Sequence, residues 1–475
     1  MINANPSYPF VSPDDLRAQF CSALSEMYRT EVPLYGDLVS LVDEVNDGVM
    51  AREEGQGWEV GDRLRVERHG AIRLGTPSEL RTITRLFRLM GMYPVGYYDL
   101  STLGVPVHAT AFRPITCDSL STHPFRIFTS LLRPELISDS TIRQEVLSIL
   151  SERDIFHPIV RQLIEKAEKQ GGGLTSEDAV ELVKYGLETF KWHERALVTE
   201  KMYNKMKNVH PLLADIAGFK GPHINHLTPR VLDIDKVQEL MAERGIPPKD
   251  IIEGPPIRHC PILLRQTSFQ ALTEPILFTG RSPSPDETAP QLARGSHRAR
   301  FGEIESRGCA LTKKGHELYQ SLMLSAGKPT STQNNETWQS HLSSIFTPQS
   351  FPDTWSELYH SKLAYFTYST TSSWSPARTS DSVTLDQLIN EGSVKLTPIV
   401  YEDFLPASAA GIFASNLGNH KQESALSSDN GDESTERAKK ELEEYVGGKI
   451  WNYFELYDKI EQESLERVKT LTGCK

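Results

Sequence analysis

The chain has 475 residues, 38% hydrophobic and 24% charged, which supports a real core and excludes a disordered chain. Lys and Arg total 51 against 63 Asp and Glu, a net charge of −12. That balance argues against a general nucleic-acid binder, because phosphate binding needs a basic field. No apolar run reaches the roughly 18 residues of a membrane span. A prior of roughly 150 residues per domain allows about three domain-sized units. The segment 1–20 carries Asp14 and Asp15 and no basic-then-apolar leader, so a cytoplasmic location is expected. The five cysteines form no CxxC pair, which fits reduced thiols better than a zinc ribbon or a disulfide framework.

In chain order, Ser12-Pro-Asp-Asp15 predicts a helix start, with Leu16, Phe20, Leu24 and Met27 at helical spacing. A second helix is expected to about Asp47. Residues 66–73 read as a strand. Thr76-Pro-Ser-Glu79 is a capping box opening a helix that stops at Gly91. Residues 93–100 and 105–115 read as strands, from their aromatic and β-branched content. From about 139 to 210 the pattern turns helical, with helices expected over 141–151, 158–169 and 176–191. Residues 223–232 then read as a strand, and a helix follows over about 233–244. Strands are expected near 251–252, 262–268, 276–278 and 299–307. Four polar segments, near 281–298, 325–338, 369–382 and 420–436, read as surface insertions. Two closing helices are expected over 434–446 and 450–469.

The chain repeats itself weakly. His69-Gly-Ala-Ile-Arg73 matches His226-Leu-Thr-Pro-Arg230, and each precedes an amphipathic helix ending in Gly91-Met-Tyr-Pro94 or Gly245-Ile-Pro247. Each unit then has a strand with a late arginine, Arg113 or Arg265. Two tandem β-α-β-β-β units are the simplest reading, giving an α+β fold with a helical insertion and peripheral helices. The expected organisation is an N-terminal helical segment (1–60), a first unit (61–135), the insertion (136–215), a second unit (216–320) and a C-terminal region (321–475).

The repeat makes His69 and His226 equivalent, so two imidazoles can enter one shared cavity. Glu303 and Glu305 are two apart on a strand and share a face. Two histidines and one carboxylate suit a non-heme Fe(II) oxygenase. The zinc-hydrolase route through HExxH is disfavoured, since no HExxH occurs. An ion pair with Arg300 or Arg307 is the alternative for either glutamate. His223, an odd number of residues from His226, would face the other side of a strand. His108 is a candidate ligand or supporting group. His259-Cys260 lies in a proline-rich stretch better read as a loop. Arg73 follows His69 by four, on the same face and roughly 13 Å along the strand. It could reach back to a substrate carboxylate or make a surface ion pair.

Arg68-His-Gly-Ala-Ile-Arg73, Gly91-Met-Tyr-Pro-Val95, Tyr97-Tyr-Asp-Leu100 and His223-Ile-Asn-His-Leu-Thr-Pro-Arg230 resemble the 2-oxoadipate dioxygenase/decarboxylase (2-hydroxyglutarate synthase) family. So do Pro261-Ile-Leu-Leu-Arg-Gln-Thr-Ser268, Arg300-Phe-Gly-Glu-Ile-Glu305, Tyr401-Glu-Asp-Phe-Leu-Pro406 and Ser408-Ala-Ala-Gly411. The resemblance covers almost the whole chain. It implies a vicinal-oxygen-chelate fold around a central metal cavity, with Fe(II) held by His69, His226 and Glu303. It also implies that Arg73 and the Ala407-Ser408 segment contact the substrate carboxylate. The implied reaction consumes O2 and 2-oxoadipate, releases CO2 and hydroxylates the same molecule to 2-hydroxyglutarate, within lysine or 2-aminoadipate catabolism. Two other readings stay open: another vicinal-oxygen-chelate metalloenzyme, either a different 2-oxo-acid dioxygenase or a Mn or Zn isomerase, and a non-catalytic metabolite-binding member.

Overall fold

The computed structural model describes residues 10–52, 63–101, 104–279, 293–298, 300–330, 332–374, 383–405 and 433–474. Helix α1 (Pro13–Glu31) begins where Ser12 accepts the Asp15 N–H at 3.1 Å. Pro33 has no N–H to extend it, and α2 (Pro33–Ala51) starts afresh. A short turn, α3 (Arg63–Val66), leads into β1 (Arg68–Leu74). Helix α4 (Pro77–Leu89) carries the expected capping box between Thr76 and Glu79. Strands β2 (Tyr93–Asp99) and β3 (Val107–Arg113) form an antiparallel pair, and α5 (Cys117–Thr122) leads to β4 (Arg126–Leu132). The pattern of alternation did not reveal β4, because all seven of its residues are buried, and a strand covered on both faces has no period of two.

The helical stretch comprises α6 (Ser140–Glu152), α7 (Pro158–Lys169), α8 (Ser176–Gly186), α9 (Glu200–Val209) and α10 (Pro211–Ala217). Helix α8 ends at Gly186 rather than near 191, passing into a single 3-10 turn over Leu187–Thr189.

The second unit departs most from expectation. Only Leu227–Pro229 of 223–232 forms a strand, β5. Pro222 and Pro229 cannot donate to a ladder, and the N–H groups of Ile224 and Asn225 bond Phe190 and Ala71 carbonyls instead. Helix α11 (Ile234–Glu243) follows, then β6 (Leu264–Ser268), a hairpin of β7 (Glu274–Phe278) and β8 (Ala293–His297), and β9 (Glu303–Arg307). The expected strand at 251–252 is reduced to isolated bridges, Pro248 with Phe269 and Glu253 with Gln266. The 281–298 segment is not wholly a surface insertion, since β8 lies within it and ends on buried His297.

The main sheet runs β2-β3-β4-β1-β5, mixed because β1 and β4 are parallel. Strand β9 pairs antiparallel with β6, and a bridge from Arg230 to Glu305 joins it to the end of β5. The result is an α+β fold with a mixed sheet, in which β1 and β5 pair antiparallel. Helices α1, α2, α4, α7, α8 and α11 bury their apolar faces in one core against this sheet.

Helices α12 (Lys313–Ala326), α13 (Asn335–Ile345) and α14 (Trp355–His360) follow, then β10 (Phe366–Thr370), α15 (Leu385–Asn390) and β11 (Val394–Pro398). The closing helices are α16 (Glu433–Val446) and α17 (Tyr453–Thr472). Tyr457 of α17 donates to Asp403 at 2.6 Å and accepts the Glu402 N–H at 2.7 Å, tying the C-terminus to the segment behind the site. Among the described residues, no helix is long and apolar enough to cross a membrane and no disulfide forms.

Candidate metal centre

The β1–β5 junction builds the site. His69 sits directly opposite Thr228, so their side chains share a face. On β9, Glu303 and Glu305 alternate onto one side, with Gln266 of β6 beside them. Gly70 is required between these strands: a Cβ there would stand 2.6 Å from Ile224 Cδ1 and 2.8 Å from the His226 carbonyl oxygen. Its absence lets the His226 backbone close on β1.

His69, His226 and Glu303 are all buried, and one ligand atom from each lies within 4.8 Å of the others. His69 Nε2 is 3.0 Å and His226 Nε2 3.7 Å from Glu303 Oε1. Thr228 donates to that oxygen at 3.0 Å, and Gln266 donates to the other at 3.4 Å. The His69 and His226 rings meet edge to face at 5.5 Å; Phe301 stacks on His226 and Phe404 stands edge-on to His69. Burial pulls the His226 ring down to about 4, which favours the neutral imidazole with one ring nitrogen able to ligate. Among the described residues neither of its ring nitrogens has a hydrogen-bond partner. A buried imidazole in that state is costly unless a cation takes it up, and the donor set fits a divalent metal. Burial also opposes the charge on Glu303, yet His226 and His69 hold its carboxyl below the usual value.

A second carboxylate backs the site. Glu305 Oε1 lies 3.1 Å from His69 Nδ1. It pairs with Arg126 and accepts from Arg307 Nε and Nη2 at 2.9 and 2.7 Å. Arg307 also binds Glu67 at 2.5 Å and Glu402 at 2.6 Å. The ion-pair alternative therefore describes Glu305, while Glu303 faces the histidines. Burial works against a charged His69, but Glu305 and Glu303 hold its pKa above the ordinary imidazole value. Arg126 was not singled out from sequence; its signal is a lone cation heading the apolar run of β4.

Arg73 is buried and ion-paired, not on the surface: Nη1 lies 2.6 Å from Asp215 Oδ2. Asp215 Oδ1 in turn faces His297 Nε2 at 2.9 Å and His223 Nε2 at 3.2 Å. His223 and His226 thus serve separate groups, but from irregular backbone rather than opposite faces of a strand. His108 joins neither group; it lies on β3, where burial and Arg133 push its ring down to about 3. His259-Cys260 is a loop whose N–H groups bond Asp353 at 3.1 and 2.9 Å. The paired late arginines are structural, Arg113 on Asp403 and Arg265 on Asp235. Ala407 and Ser408 lie outside the described residues. Asp215 and His297 carried no motif in the sequence; only the fold brings them to Arg73.

Two histidines and a glutamate on a buried floor are a donor set of the kind that holds a divalent metal, and the Arg73 guanidinium lies on the strand of His69. Comparison with known proteins narrows this. The family model for 2-oxoadipate dioxygenase/decarboxylase matches residues 20–416. The Escherichia coli (strain K12) 2-oxoadipate dioxygenase/decarboxylase is 48% identical over 464 residues, covering 96% of this chain and 98% of its own. The Pseudomonas putida relative of the same name is 47% identical over 473 residues, covering 97% of each. The crystal structure of the Pseudomonas putida hydroxyglutarate synthase in complex with 2-oxoadipate superposes with a TM-score of 0.84 at 44% identity, covering 98% of this chain and all of that one. The chain belongs to the 2-oxoadipate dioxygenase/decarboxylase family.

Proposed function

We propose that this chain is an Fe(II)-dependent dioxygenase that converts 2-oxoadipate and O2 to 2-hydroxyglutarate and CO2, on a scaffold of vicinal-oxygen-chelate type, in lysine or 2-aminoadipate breakdown. The supporting observation is the buried His69–His226–Glu303 group, with Arg73 four residues along the same strand, in a member of this family. The equation closes with one O2 and no second 2-oxo acid. Bound Fe(II) would supply a Lewis acid for the 2-oxo acid and a redox centre for O2.

The chain's own residues do the rest. His69, His226 and Glu303 hold the ion. Glu305 keeps the His69 proton on Nδ1 and so directs Nε2 to the ion. Phe301 and Phe404 wall the two rings and exclude water. Arg73 clamps the distal carboxylate of the substrate, with the Ala407-Ser408 segment contributing, and fixes which hydrogen faces the reacting centre.

The test compares wild type with Arg73→Ala, both iron-loaded, on 2-oxoadipate and on 2-oxohexanoate, which lacks the distal carboxylate. Losing a charged hydrogen bond should raise the KM for 2-oxoadipate roughly 10–100-fold with iron retained. Wild type should use 2-oxohexanoate poorly. An unchanged KM in Arg73→Ala would remove the clamp from the mechanism.

A further inference from the structure

Behind Arg73 lies a second buried polar group that metal binding does not use. Asp215 stands on α10, His223 in the loop before β5, and His297 at the end of β8; all three are buried. Its geometry is a chain. Arg73 Nη1 is 2.6 Å from Asp215 Oδ2, and the other carboxylate oxygen meets His297 Nε2 at 2.9 Å and His223 Nε2 at 3.2 Å. His297 Nδ1 meets Tyr203 Oη of α9 at 2.6 Å. Trp192 stacks on His297 and stands edge-on to His223, and Phe219 packs on both rings.

The charges facing this group are few among the described residues. Arg300 lies 5.0 Å over Trp192, but its guanidinium is committed to Glu274 and Glu31. His193 bears on His223 and is held below its ordinary value, chiefly by burial. Burial opposes ionisation of Asp215, yet Arg73, His223 and His297 hold its carboxyl well below the usual range. Burial pulls His223 below the usual imidazole value despite Asp215 beside it. Without substrate, the charges of Arg73 and Asp215 offset each other, and burial disfavours a charged His223.

A substrate carboxylate arriving at Arg73 would leave two anions on one guanidinium, a net buried charge that is costly. A proton on either imidazole restores neutrality without displacing Asp215. We infer that Asp215, His223 and His297 form a proton-accepting counter-charge for Arg73, so that the dicarboxylate substrate binds together with one proton from solvent. The inference rests on Arg73 being the clamp. It assigns Asp215 as the positioning residue of Arg73 and the histidine pair as the proton acceptor. Tyr203 can either donate to a neutral His297 or accept from a protonated one, so its hydroxyl suits both states. The same device favours a 2-oxo acid with a second carboxylate over one without, because only the former calls for the proton.

The test is anaerobic calorimetry of the iron-loaded protein near pH 8, in two buffers of different ionisation enthalpy. Wild type should take up about one proton per 2-oxoadipate bound and none per 2-oxohexanoate. The double variant His223→Gln/His297→Gln should lose the uptake and bind 2-oxoadipate more weakly. Asp215→Asn should bind without uptake; if it fails to fold, the two-ligand comparison in wild type decides alone. Tight binding of 2-oxoadipate with no proton uptake overturns the inference and leaves the functional reading standing. No binding heat at all overturns both. A second equivalent of Co(II), held by wild type and lost in His297→Gln, overturns it in favour of a metal at this group.

Discussion

Glu305→Gln probes how the protein selects the ligating nitrogen of His69. Nδ1 of that ring faces two neighbours, Glu305 Oε1 at 3.1 Å and Arg126 Nη2 at 3.3 Å. One is an acceptor and the other a donor. The carboxylate wins, because Arg126 itself turns to Glu305. The ring proton then stays on Nδ1 and the Nε2 lone pair faces the metal group. The amide keeps the shape and removes the charge. Arg307 retains Glu67 and Glu402, and Arg126 retains the Glu402 carbonyl at 2.8 Å, so the fold persists. Arg126 is freed to donate to Nδ1, which moves the ring proton to Nε2 and blocks ligation. Losing such an outer partner weakens metal binding about 10–100-fold, or about 1.4–2.7 kcal/mol. Chelator competition with Co(II) measures this directly, with thermal unfolding of the metal-free protein as the control. Metal affinity within twofold of wild type would refute the tautomer argument.

The other predictions are briefer. His226→Ala, His69→Ala and Glu303→Ala should each lose stoichiometric iron, read by metal analysis, whereas His223→Ala should keep it; the reverse pattern for the two histidines would place the ligand wrongly. Gly70→Ala pushes a methyl into Ile224 and the His226 carbonyl, and should cost about 1–3 kcal/mol in denaturant unfolding together with weakened metal affinity. Asp215→Asn removes the carboxylate that pairs with the buried Arg73 guanidinium, a loss of about 3–5 kcal/mol at neutral pH. Because the folded-state pKa of Asp215 is depressed, its contribution is complete above the unfolded value of about 3.9 and fades as pH falls below it. The gap between wild type and variant in unfolding free energy should therefore be flat above about pH 5 and narrow in acid.

Much of this was readable from residue pattern. The Thr76–Glu79 box and the closing helices emerge close to where caps and periodicity place them, because those signals are local. The His-x3-Arg spacing singled out His69 and His226, which lie together near the β1–β5 pairing, with His69 opposite Thr228 and His226 just before β5. What pattern could not supply is long-range. Strand β4 is covered on both faces and so has no alternation, yet it brings Arg126 behind His69. Asp215 lies within α10 and His297 ends a hairpin in a stretch of polar composition, and nothing along the chain connects them to Arg73. The strand expected over 223–232 shrank to three residues because its prolines and its tertiary hydrogen bonds override a β-rich composition.

The central claim is tested most directly in an oxygen electrode. Anaerobically Fe(II)-loaded protein is mixed with oxygenated 2-oxoadipate, and CO2 and 2-hydroxyglutarate are quantified in the same sample. The account predicts one O2 consumed per CO2 released and per 2-hydroxyglutarate formed, with no added 2-oxoglutarate. Stoichiometric iron with no oxygen uptake, or CO2 released without the hydroxy acid, would contradict it.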